Sequence, residues 1–157
     1  MVVKLVRNYS LNDIKNSINY YLDVAKYDPK VREFALRIVN GNPDKISAIY
    51  DWIQQNVGYV GDPVDVELLT SPIRMIKDYQ EGKLLAEDCD GMSILATALY
   101  RSIGIESTVI LMDTSGQGIN HSISSAKSEK LGWINVDPSD KTHPLGWEIP
   151  YTKKVVV

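Results

Sequence analysis

The sequence contains one cysteine, Cys89, and two histidines, His121 and His143. A thiol becomes a nucleophile when a base takes its proton, and imidazole is the side chain that titrates nearest to neutral pH. A Cys–His pair works best when a carboxylate holds the second ring nitrogen and fixes the tautomer. Asp137, at the end of "GWINVD", is a candidate for that role. If residues 119–125 and 132–138 are strands of a hairpin turning near 128–130, facing residues have numbers summing to about 258, which sets His121 across from Asp137. A slip of one residue would turn one of the two to the wrong face.

Each of these residues also has a plainer use. Cys89 would open a helix capped by Asp88, where free backbone N–H groups and the helix dipole favour a thiolate. Asp88 and Asp90 oppose this by like charge, and free cysteines are often buried packing residues, so both uses stand. His143, in "KTHPLG", and Trp147 sit in a Pro/Gly loop that requires no role. One Cys and two His exclude a structural zinc site of four soft ligands. A Cys–His–Asp metal site would use the same three residues but needs more assumptions than thiol chemistry. "SGQGIN" follows a strand but opens no helix, so it is no phosphate loop.

The elements that must position these residues can be read from periodicity. Ser10 caps a helix with Ile14, Ile18, Tyr21, Leu22 and Ala25 on one face, and Asp13 completes a capping box. Asp28-Pro29 restarts the pattern, with Val31, Ala35 and Ile38 inward, until Asn40-Gly41. Asn42 caps the next helix, whose stripe is Ile46, Ile49, Tyr50, Ile53 and Val57. A surface loop from Tyr59 leads to a short helix opened by Ser71-Pro72. From Asp88, the positions of Met92, Leu95, Ala96, Leu99 and Ile103 predict an amphipathic helix ended by Gly104. Three strand-like runs follow at 106–112, 119–125 and 132–138, and "YTKKVVV" offers an edge strand. The expected fold is α+β, a helical N-terminal half and an antiparallel sheet half.

Composition narrows the function classes. The 157 residues suffice for one core, and the net charge is -3 with 17 basic side chains scattered among 20 acidic ones. That pattern speaks against a nucleic-acid partner. A lone cysteine fits a reducing compartment. No apolar run suits a signal peptide or a membrane span, so a soluble cytoplasmic protein is expected, or a virion-associated one if the source is viral.

The string "EDCDGMSILATALYRSIGIESTVI", then His121, then "GWINVDPSD", resembles the transglutaminase-like superfamily. Upstream, "IYDWIQQNVGYVGDPVDVELLTSPIRMI" is similar to the helix and loop that precede the cysteine in microbial and phage-type members. The resemblance spans about residues 46 to 140 and implies a papain-like core, residues 42–157, with 1–41 as a helical extension packed on it. It also implies Cys89 as nucleophile, His121 as general base and acid, and Asp137 as the residue orienting His121. Tyr59 is the oxyanion candidate, or simply a half-buried groove wall. No cofactor or metal is implied, and the partner would be a peptide or protein amide substrate.

The chain departs from the pattern in two places. Glu87 stands where relatives commonly have Gly and would crowd the cysteine, and "SISS" after His121 suits an edge strand. Trp133 is expected to pack beneath the His strand. The alternative to an amide acyl-transfer enzyme is a non-catalytic structural or assembly protein on the same fold.

Overall fold

The structure is a computed structural model and describes residues 2–6 and 9–157. Met1, Arg7 and Asn8, part of the expected 1–41 extension, lie outside the described residues. The elements are β1 (Val2–Val6), α1 (Leu11–Lys26), α2 (Pro29–Val39), α3 (Lys45–Asn56), β2 (Val57–Tyr59), β3 (Val66–Thr70), α4 (Pro72–Gln80), β4 (Leu85–Glu87), α5 (Cys89–Ser102), β5 (Ser107–Asp113), β6 (His121–Ser128), β7 (Gly132–Val136) and β8 (Lys153–Val156).

Local signals set most helix starts. Ser10 and Asp13 form both bonds of the capping box on α1. Ser71 caps α4 with Pro72 in its first turn. Asn42 does not cap α3. Its side chain instead accepts from the Asp44 backbone N–H at 2.9 Å, and Asp44 caps by accepting from Ser47. An Asx turn therefore delays the helix start by two residues.

The N-terminal half is not purely helical. β1 pairs antiparallel with β3, from Val2 opposite Thr70 to Val6 opposite Val66. β2 and β4 form a short parallel pair, Val57 with Leu85 and Tyr59 with Glu87. These strands are too short to show a clear alternation, which is why helix periodicity dominates the segment.

The helix α5 is the centre of the molecule. Helices α1 to α4 all contact it on one side and β6 and β5 on the other. Eleven of its residues are buried, including Ser93, Thr97 and the whole of Tyr100, so the predicted amphipathic helix is in fact enclosed. Residues of α1 and α2 such as Ile18, Leu22, Val31 and Ala35 belong to the same apolar core as Leu95 and Leu99. Phe34, Trp52 and Tyr79 tie α2, α3 and α4 together edge-to-face, with ring centroids 5.0 to 5.7 Å apart.

The main sheet has the order β7-β6-β5-β8, so β6 is an interior strand. The expected edge placement of "SISS" is thus overturned. Two of its three serines face α5 and bond to it, Ser122 Oγ to Ser93 Oγ at 2.7 Å and Ser124 Oγ to Thr97 Oγ1 at 2.7 Å, while the Ser125 hydroxyl donates to the Ile134 carbonyl of β7. Buried hydroxyls that satisfy each other take the place of apolar contacts here. Trp133 lies on the edge strand β7 opposite Lys127 of β6, with half of its surface exposed.

Candidate active site

Cys89 begins α5 because Asp88 caps it, its carboxylate accepting from the Gly91 N–H at 3.0 Å. His121 begins β6, and the Ser93–Ser122 bond next to it fixes strand against helix. Cys89 and His121 therefore line one cleft of about 440 Å³, together with Tyr59.

His121 Nε2 and Asp137 Oδ2 lie 2.7 Å apart, with both side chains largely covered. The pairing arises from a register other than the expected one. Ser124 faces Val136 and Ser128 faces Gly132, so facing numbers sum to 260 and His121 lies diagonal to Asp137 rather than opposite it. A shift of two residues keeps every side chain on its face, so the pair survives. The other oxygen, Oδ1, accepts from the Ser139 N–H and hydroxyl at 3.2 and 2.6 Å, which holds the carboxylate in place. The bond to Asp137 raises the His121 pKa above its usual value, against the opposing effect of burial. With Nε2 engaged, Nδ1 is the ring nitrogen left for proton transfer.

The thiol is electrostatically unlike the one expected from helix position alone. Burial pushes the Cys89 pKa well up, the charges of Asp90 and Asp88 push it further, and the hydrogen bond from the Ser122 backbone N–H pulls it down. Like-charge repulsion and desolvation outweigh the helix terminus, so the resting residue is a thiol.

The surrounding wall is acidic. Asp62, Glu67, Asp88 and Asp90 line the cleft, and no Lys or Arg among the described residues does. Burial, then a hydrogen bond with Asp90, raises Glu67 to about 9. Burial and the charge of Asp90 raise Asp88 to about 7. Oxygens of Asp62, Glu67 and Asp88 come within 4.8 Å of one another, close enough to share protons or a cation. The sequence offered no sign of this grouping, because Asp62 and Glu67 reach Cys89 only through the fold.

Glu87 does not crowd the cysteine. It is not among the cleft-lining residues and lies over the first turn of α5, where a Cβ on Gly91 would collide with its side chain. Gly91 thus leaves the room that the Glu87 side chain occupies. Tyr59, paired with Glu87 on β2, lines the cleft and is 61% exposed. Its phenol is pushed up by desolvation and then by the nearby Cys89.

Comparison with known proteins follows the same lines. The model of the transglutaminase-like superfamily matches residues 32–138. The chain is similar in structure to a proposed cysteine protease from Cytophaga hutchinsonii, with TM-score 0.54, 20% identity, and coverage of 88% of this chain and 48% of that one. It is also similar to a proposed protease from Parabacteroides distasonis, with TM-score 0.54, 13% identity, and coverage of 76% of this chain and 25% of that one. The chain thus spans less than half the length of either. No curated protein matches it significantly.

Proposed function

The chain belongs to the transglutaminase-like superfamily, and from that premise we propose that it is a cysteine-dependent acyl-transfer enzyme acting on peptide or protein amides. The observation that carries this is the convergence of Cys89 and a carboxylate-held His121 on one cleft. In the proposed reaction the Cys89 proton passes to His121 Nδ1 and the sulfur attacks the amide carbonyl. The C–N bond breaks as the amine takes the proton from His121, leaving a thioester. Water or a second amine then releases the acyl group. The Cys89 backbone N–H, with Tyr59 as the side-chain candidate, would face the oxyanion.

A non-catalytic scaffold or assembly protein is the second reading, favoured by the burial and negative surroundings that keep the thiol protonated. Among the described residues no helix is long and apolar enough to cross a membrane.

The two are separated by incubating the protein with a complex peptide mixture in ¹⁸O-water containing a labelled primary amine. Labelled new carboxyls report hydrolysis and amine adducts report transfer. Either product, absent with Cys89→Ser, is the expected result. Identical peptide profiles for the two proteins would leave the scaffold standing.

A further inference from the structure

We propose that the cleft selects amide acyl donors that bear a primary ammonium or guanidinium, seated against the carboxylates beside Cys89. The inference rests on Cys89 being the nucleophile. The binding site is the Cys89–His121 cleft itself, and its carboxylates determine what that cleft accepts.

Three observations converge. The first is sign: Asp62, Asp88 and Asp90 line the cleft beside Glu67, whose raised pKa keeps it protonated near neutral pH, with no Lys or Arg among the described residues to offset them. Low-dielectric walls concentrate such a field inside the concavity. The second is an unmet bond. Glu67 shares a hydrogen bond with Asp90, but its Oε1 is shut off from solvent and has no partner among the described residues, although Glu67 lines the cleft. A buried carboxyl oxygen without a donor is costly, and an N–H of an ammonium or guanidinium would satisfy it as the Glu67 proton leaves. The third is the thiol. Asp90 and Asp88 are the charges that most oppose its ionisation. A cation seated against them replaces repulsion by attraction at the moment the proton moves to His121.

Timing identifies which substrate carries the charge. The thiolate must form before the C–S bond does, so a cation that assists it arrives with the acyl donor. An amine that enters after the thioester has formed comes too late.

The test compares modification of Cys89 by three methanethiosulfonates, one trimethylammonium, one sulfonate and one neutral, each rate divided by that for free 2-mercaptoethanol. The expected cation-to-anion ratio is about tenfold to 100-fold at low salt and shrinks as salt is added. Asp90→Asn should reduce this ratio while speeding the neutral reagent, and Asp62→Asn repeats the comparison should Asp90→Asn unfold. Equal normalised rates for both charged reagents, with reactivity that still depends on His121, overturn charge selection and leave the proposed function intact. A Cys89 that is slow to all three and indifferent to His121→Ala overturns both.

Discussion

The molecule contains two histidine–aspartate pairs built almost alike. In each, a ring nitrogen lies 2.7 Å from a carboxylate oxygen: His121 Nε2 on Asp137, and His143 Nδ1 on Asp140. They differ in what surrounds them. His121 starts an interior strand and lines the cleft with Cys89. His143 sits in a surface loop, stacked on Trp147 with centroids 4.2 Å apart and planes 7° from parallel. Asp140 is a loop organiser, accepting from the Thr142 N–H and hydroxyl at 2.8 and 2.7 Å. Burial alone would raise its pKa, but these bonds and His143 hold it down to about 2. A His–Asp bond by itself is thus no sign of catalysis; what the second ring nitrogen faces decides its use.

The sharpest way to break this comparison is to remove each ring. His121→Ala should slow alkylation of Cys89 by iodoacetamide about 100-fold near neutral pH, as expected for loss of a general base, whereas His143→Ala should leave it within about twofold. Equal effects would erase the distinction. Replacing the carboxylates divides the two pairs along a different line. Asp137→Asn should cost Cys89 reactivity about tenfold through the lost orientation of His121. Asp140→Ala should spare reactivity and lower thermal stability by about 1–2 kcal/mol, or about 3–6 °C.

Titration sharpens the contrast further. His121 has a folded pKa raised above 6.5, chiefly by Asp137, so its stabilising contribution is complete below that value and is lost as pH rises through the folded one. The difference in unfolding temperature between the wild type and His121→Ala should therefore be greatest in mild acid and fade in alkali. Asp140 runs the opposite way: its contribution is present above 3.8 and is lost as pH falls through about 2. The smallest effect belongs to the cleft wall. Glu67 is raised from 4.5 to about 9, so the folded state loses stability as pH climbs through that window. Glu67→Gln should raise the unfolding temperature by about 3 °C at alkaline pH and by nothing at acidic pH, measured by calorimetry.

Most short-range chemistry was legible in the chain, with the start of α3 as the exception, where Asp44 rather than Asn42 is the cap. Ser10 with Asp13, Asp88 and Ser71 announced helix starts, and the order of Cys89, His121 and Asp137 announced a thiol constellation and the family. Where a side chain acts within one turn of its own backbone, sequence narrows the partner to a neighbour two to four residues away.

Other features required partners distant in the chain. "SISS" looked like an edge only because the hydroxyls that satisfy it, Ser93 and Thr97, lie 29 and 27 residues earlier on α5. The spacing of those two, one helical turn apart, against alternate serines of a strand is the signal that would have revealed the packing. The hairpin register depended on where a three-residue turn fell, which local propensity does not specify to within two residues.

The sequence by itself determined the helices, most of their caps, and the residue types that could act as nucleophile, base and orienting acid. Only the tertiary structure decided that α5 would be enclosed on all sides, that His121 would meet Asp137 on a diagonal, and that Asp62 and Glu67 would join Asp88 and Asp90 around the thiol. The physical reason is range. Hydrogen bonds within a turn are fixed by adjacent residues, whereas desolvation and the charges felt by a buried sulfur depend on every chain segment that folding brings beside it.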